Sequence, residues 1–290
     1  MASNLLARGY TVHVYDTDPI KTAFFQKKGA VAHTNSAQAA IQSGVTIVCV
    51  VTADQVEQVL FGSHGLALAV PAGHTVLLCP TIAPQDTECF ASQLAQRGIH
   101  SIDAPMSGGP VRAADGSMSL MLACPDAVFT QHAVLIRHLS SKVFRISQRA
   151  GDAARTKLVN NLLAGINLVG AAQALALAQR MGLDMAVTLA VIEQSSGQSW
   201  IGSDRMHRAL AGERAPQAHM ALLAKDTALA VQAAGQLAGG QAYASVQAQV
   251  SHALGLHASA VFAQALSAGL ALEDDSALLK WLQTQVDGCA

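Results

Sequence analysis

Asp103-Ala-Pro-Met-Ser107-Gly108-Gly109-Pro110 closes a run that reads as a strand, and paired glycines there would let a small anionic ligand approach the backbone. Ser107 adds a hydroxyl donor, although a Gly-Gly after a strand also serves as a plain turn. Thr81, just past the strand expected to end at Cys79, is a second hydroxyl at the kind of strand end where parallel sheets place ligands. Asp16 ends a short β-branched run, where an acidic side chain can hydrogen-bond a ribose or simply begin the turn before Pro19. Lys157, Asn160 and Asn161 interrupt an Ala/Leu/Val stretch at offsets that share one helical face. They form either a solvated face or polar groups that need partners when buried. Lys225-Asp226 breaks the apolar run Met220–Val231; adjacent helical positions point about 100° apart, so no salt bridge is expected within the pair.

Other chemistries find no support. The eleven histidines include no H-x-x-x-H, and His252 and His257 have the wrong spacing for metal ligation on a helix, so no metal site is expected. Neither a G-x-S-x-G elbow nor a Walker loop occurs. Eighteen basic against nineteen acidic residues, with 4% aromatics, argue against a nucleic-acid partner. No stretch free of polar side chains approaches the roughly 20 residues of a membrane span, and no cationic-then-apolar leader opens the chain. Five cysteines, Cys49, Cys79, Cys89, Cys124 and Cys289, include no Cys-x-x-Cys, as expected in a reducing cytoplasm.

The elements that would position these residues fall into two textures. Strands are expected at Thr11–Tyr15, Val45–Val51 (apolar on both faces), Thr75–Cys79, Ile99–Asp103, Ser117–Leu122 and Val143–Ile146. Helical spacing separates them at Met1–Arg8, Pro19–Lys28, Asp54–Phe61, Pro84–Arg97 and Pro125–Leu139. That alternation predicts a doubly wound α/β domain over residues 1–146. From 147 to 290 an all-helical domain is expected, with helices Asp152–Met181, Met185–Gln194, Met220–Leu237, Ala242–Ala268 and Ser276–Gln285. Helices this rich in Ala bury little area alone, which points to closure by a second copy of the chain.

Met1–Tyr10, Asp103–Gly109, Gly151-x5-Lys157-x2-Asn160-Asn161 and Leu223-x-Lys225-Asp226 occur in an order and at distances that resemble the β-hydroxyacid dehydrogenase family, from Met1 to about Gln285. Ser196–Trp200 and Glu273–Ala277 look most similar to its L-threonate dehydrogenase branch. The resemblance implies a Rossmann-type NAD-binding domain, an all-helical substrate and dimerisation domain, and a small hydroxy acid as substrate. By position, Lys157 would be the catalytic acid/base and Asn161 a substrate contact, with Ser107, Gly108 and Gly109 holding the substrate carboxylate. Thr81 and Lys225 would lie near the cofactor and Asp16 would face the adenosine ribose. Asp16-Thr17 stands where NADP-preferring members often carry an Arg, which favours NAD over NADP. A lysine that accepts the hydroxyl proton must be neutral, its pKa brought below about 10.4 by burial and by positive charge such as Lys225.

The chain also departs from the family. Pro80 replaces a Ser and Gln173 a Glu. The family carries a strand and a G-x-G-x-x-G turn before the segment that starts at Met1; without them, neighbouring edges would lie unpaired and the pyrophosphate would lose N–H donors. The expectation is that the protein starts upstream of this Met1, or that the chain is a disabled member persisting as a folded or partner-binding protein. Within the enzyme class, the alternative is a 3-hydroxyisobutyrate-type dehydrogenase or a semialdehyde reductase.

Overall fold

Short apolar runs build the sheet wherever a neighbour exists on each side. The computed structural model describes residues 1–213, 215–237 and 246–287; Cys289 and the 242–245 start of one expected helix lie outside them. Contacts divide the chain into two units, Met1–Lys157 and Leu158–Ala290. In the first, the order is α1 (Ala2–Ala7), β1 (His13–Val14), α2 (Pro19–Lys27), β2 (Val31–Ala32), α3 (Ser36–Ile41), β3 (Val45–Val48), α4 (Ala53–Phe61), β4 (Thr75–Leu78) and α5 (Pro84–Ala95). Then come β5 (His100–Asp103), β6 (Met106–Ser107), α6 (Gly109–Asp115), β7 (Ser119–Ala123), α7 (Asp126–Gln131), α8 (Ala133–Leu139) and β8 (Lys142–Ser147).

Strands β3, β4 and β5 run parallel, β7 joins β5 and β6 antiparallel, and β8 lies parallel to β7. All four residues of β4 are buried, and they alternate between faces. Leu77 packs with Ile102, Leu120, Leu5 and Ile136 on one side, while Val76 and Leu78 pack with Val56, Leu60 and Phe90 on the other. Helices on both faces of a mostly parallel sheet make this the expected doubly wound unit. Local chemistry sets the helix starts. Asp18 caps α2 through Ile20 N (2.9 Å) with Pro19 at the first position, and Thr52 and Gln55 form a capping box on α4. The single helix expected at Pro125–Leu139 is two, because the chain turns at His132 and its Nε2 hydrogen-bonds Thr75 Oγ1 at 2.8 Å in the core.

The sheet is broken between β1 and β3. Val31 N and His33 N donate to Val12 O and Val14 O, both at 2.9 Å, so β1 pairs with β2 in a separate two-stranded sheet. On the other side, Thr75 N and Cys79 N donate to Gly44 O and Val48 O. Backbone groups alternate direction along a strand, so His13 and Tyr15 of one edge, and Val45, Ile47 and Cys49 of the other, turn theirs toward the break. No backbone hydrogen bond crosses it among the described residues. Both edges are thus unpaired among the described residues. The break also corrects the expected double-sided burial of Val45–Val51: the strand stops at Val48, the only buried residue of its four, and Val51 is exposed.

The second unit is helical: α9 (Asp152–Arg180, starting in the first unit), α10 (Met185–Glu193), α11 (Trp200–Ala211), α12 (Met220–Leu237), α13 (Val246–Ser267) and α14 (Leu278–Asp287). Contrary to the expectation of no such segment, α9 is long and apolar enough to cross a membrane by length and composition alone. Its Leu168, Val169, Ala172 and Leu175 are instead accounted for by a core shared with Leu223, Phe262 and Leu278. A Cβ on Gly165 would stand 2.5 Å from Thr227 Oγ1, so only glycine lets α9 approach α12 this closely. Helix α11 escaped the sequence reading because its middle is Ser203-Asp204-Arg205 and His207-Arg208 rather than an apolar stripe. Its charges have buried partners: Arg208 Nη2 donates to Asp274 Oδ2 at 3.0 Å, and Arg205 pairs with Asp275. Burial works against the Asp274 carboxylate, yet Ser276 and the N–H groups of Gln217 and Ala218 hold its pKa down at about 2.

Candidate active site

In the first unit a cavity of about 620 Å³ opens past the ends of β1 and β3, lined among others by Tyr15, Asp16, Asn35, Val51, Gln55 and Ser63. Asp16 stands two residues past the end of β1, and its Oδ1 accepts from Asp18 N at 2.9 Å, so the carboxylate is oriented by the same turn that starts α2. Tyr15, Asn35, Gln55 and Ser63 were not singled out from sequence; they follow a strand, cap α3, lie in the first turn of α4 and follow α4, and share no local pattern. Thr81 is half-buried between β4 and α5 and does not line this cavity.

Ser107 ends β6 opposite Ser119, and Gly108 caps α6. Gly108 (φ 136°) and Gly109 (φ 71°) both need the conformations glycine tolerates, and a Cβ on Gly108 would meet Arg112 Cδ at 2.9 Å. The Ser-Gly-Gly turn is therefore a backbone-dictated feature, separate from the cavity lining.

Asp103 explains the start of α9. Its Oδ2 accepts from Gly151 N (2.9 Å), Ala153 N (3.1 Å) and Ala154 N (3.1 Å), so one carboxylate oxygen satisfies three of the donors a helix start leaves without a partner. Burial pushes this carboxyl up to about 6, against the pull of those three donors. One turn further along the same helix, Lys157 is only 6% exposed.

Asn161, four residues on, is 7% exposed and belongs to a polar chain within the helical unit. Its Nδ2 donates to Asp226 Oδ2 at 2.5 Å, and its Oδ1 accepts from exposed Asn160 at 2.9 Å. Lys225 Nζ lies 2.6 Å from Asp226 Oδ1, so the neighbouring pair does form a salt bridge. The long lysine stem bends back across the 100° that separates the two positions, which the argument from Cα directions ignored. Lys225 is accordingly no uncompensated positive charge. Asp226 is the residue the sequence reading undervalued: a buried carboxylate that fixes both Asn161 and Lys225. Lys157 and Asn161 are thus the buried members of the predicted triplet and Asn160 its solvated one.

Comparison with known proteins places the chain in a family. Residues 1–147 match the NAD binding domain of 6-phosphogluconate dehydrogenase, and residues 151–282 match the NAD-binding domain of NADP-dependent 3-hydroxyisobutyrate dehydrogenase. L-threonate dehydrogenase of Cupriavidus necator is 32% identical over 97% of this chain and 91% of its own length. The chain belongs to the β-hydroxyacid dehydrogenase family. The crystal structure of 3-hydroxyisobutyrate dehydrogenase from Salmonella typhimurium superposes with a TM-score of 0.85 at 31% identity, covering 96% of this chain and 94% of that one. Psf3, solved in complex with NADP+ and 2-OPP, gives a TM-score of 0.86 at 25% identity over 97% and 95%. This member of the family is a hydroxyacid dehydrogenase by kinship, with a Rossmann-type NAD(P)-binding domain followed by a helical one.

Proposed function

We propose that the chain oxidises a small hydroxy acid, L-threonate or a similar four-carbon sugar acid, with NAD+ as the acceptor. The observation that carries the reading is the buried pair Lys157 and Asn161, one turn apart on α9. Polar groups buried on an otherwise apolar helix face need partners, and Asp226 holds the Asn161 amide in place beside the turn that carries Lys157. Relatives named L-threonate dehydrogenase support the substrate class.

The cavity beside Asp16 has the size of a small-molecule site and a carboxylate suited to ribose hydroxyls, so its residues fit one half of a dinucleotide. A carboxylate there repels a 2′-phosphate, which favours NAD+ over NADP+. The nicotinamide supplies the hydride acceptor when bound. In this reading Lys157 Nζ takes the substrate hydroxyl proton, and Asn161, its amide held by Asp226, donates to the substrate. The Ser107-Gly108-Gly109 turn receives the carboxylate, while Thr81 and Lys225 lie toward the cofactor. Replacing Lys157 with Ala should reduce kcat at least about a thousandfold with little loss of folded structure, as removal of a general base does. Retention of a tenth of wild-type turnover would overturn the assignment.

Titration of NADH into the purified chain, followed by nicotinamide fluorescence, tests the cofactor part of this reading. Micromolar saturation would support it, and no binding up to millimolar concentration would overturn it for this chain.

A further inference from the structure

Cys49 and Cys79 stand on adjacent parallel strands one position beyond the Val48↔Leu78 pair that ends the β3–β4 register. The ladder continues to that point, since Cys79 N donates to Val48 O at 3.1 Å. Both thiols therefore leave their strands on the same face, where Cys79 packs with Leu77 and Ile102, and Ile47 lies against the same cluster. Strands in a sheet lie about 4.8 Å apart, inside the Cα separation that a disulfide can span. The register thus sets the two thiols side by side across the strand pair. Their surroundings differ: Cys49 is exposed and borders the 620 Å³ cavity, whereas Cys79 is buried.

We propose that Cys49 and Cys79 form a reversible redox-modification site that closes to a disulfide on exposure to a hydroperoxide. The neighbouring Cys79 draws the Cys49 thiol below its ordinary pKa, so Cys49 is the attacking sulfur, while Cys49 and burial push Cys79 up and keep it protonated until it is needed. The Cys49 thiolate attacks a peroxide oxygen, the O–O bond breaks, and the leaving oxygen departs as water or alcohol once protonated, giving a sulfenic acid. Cys79 then loses its proton and displaces hydroxide from the Cys49 sulfur, which forms the S–S bond and releases water. The peroxide gains two electrons and the two thiols lose two. A bridge between directly opposed strand positions is strained, which makes it easy for a dithiol to reopen.

The test treats the full chain with hydrogen peroxide, blocks the remaining thiols, and maps peptides by mass spectrometry before and after dithiothreitol. The expected result is a linked peptide pair carrying Cys49 and Cys79, lighter by two hydrogens, that dithiothreitol restores. Cys49→Ser, at an exposed position, should abolish the link without altering the circular dichroism spectrum, and Cys79→Ala should leave Cys49 as a sulfenic acid trapped by dimedone. Oxidation of Cys49 to sulfinic acid with no link in the wild type, or linkage of either thiol to Cys89, Cys124 or Cys289 instead, would overturn the proposal.

Discussion

Replacing Asp103 separates two contributions that the α9 start combines. The Asp103 oxygen satisfies three buried backbone donors at 2.9, 3.1 and 3.1 Å. Asp103→Ala leaves them stranded, at about 1–3 kcal/mol each. The wild-type carboxylate is itself costly: its pKa rises from 3.8 to about 6 on burial, and that difference is worth about 3 kcal/mol at pH 7. The folded form holds the proton more tightly than the unfolded chain, so this group's stabilisation is complete below pH 3.8 and is lost as the pH rises through about 6. Asp103→Ala should therefore destabilise the first unit by about 3 kcal/mol net at pH 7, and by more near pH 5, where less of that cost is recovered. Asp103→Asn keeps an acceptor oxygen and removes the charge. It should match or exceed wild-type stability at pH 7 and lose that advantage near pH 5. Both tryptophans, Trp200 and Trp281, lie in the helical unit. Urea unfolding should therefore be followed by far-ultraviolet circular dichroism and by hydrogen exchange of the peptides around residues 100–105 and 150–155. If Asp103→Asn were as damaging as Asp103→Ala at pH 7, the ionised charge itself would be the stabilising element and the reasoning would fail.

Two further outcomes follow from single contacts. Gly165→Ala pushes a methyl to 2.5 Å from Thr227 Oγ1 and 3.3 Å from Phe262; the helical unit should lose about 1–3 kcal/mol in tryptophan-monitored denaturation, and an unchanged midpoint would mean that α12 yields freely. Asp16→Ala removes the carboxylate that should repel a 2′-phosphate, so the ratio of NADPH to NADH dissociation constants should fall by about tenfold or more in fluorescence titrations. A constant ratio would remove Asp16 from the ribose site.

The sequence made the alternation of the first unit readable because Thr75–Leu78 and its neighbours are short, apolar and bounded by turns. The strand at residues 13–14 falls within the expected Thr11–Tyr15, but its partner at 31–32 went unread, because two residues carry too little periodicity to register. Helix α11 hid for the opposite reason, since its charged residues look solvated until Asp274 and Asp275 come to meet them from a distant segment. In the candidate site, Lys157 and Asn161 were visible as polar intrusions in an apolar helix. Asp226 was visible too, but its role depends on a partner 65 residues away. No local pattern encodes such a pairing, nor does a Cα-direction argument foresee the bend that joins Lys225 to it.

The contacts of a short helix bear on how the cavity is held open. Asp16 and Tyr15 follow β1, whereas Val51 and Gln55 follow β3, so its walls ride on two strand pairs that share no backbone hydrogen bond among the described residues. In a continuous sheet, ladder bonds would fix that spacing at about 4.8 Å per strand. Here the task falls to α3: Ser36 Oγ lies 3.0 Å from the Val59 carbonyl and 2.8 Å from that of His64, and Ala37 N donates to His64 O at 3.1 Å. The β1–β2 pair is thus tied to the main sheet through a short helix and the segment after α4, with none of its α2 residues buried. Elements with so few buried contacts open at low free energy without global unfolding. A ligand that bridges Asp16 to the β3 side would be bound only by the closed arrangement, so part of its intrinsic affinity goes into holding the two sheets together. Affinity at this cavity is therefore a property of the α3 contacts as much as of the residues that line it.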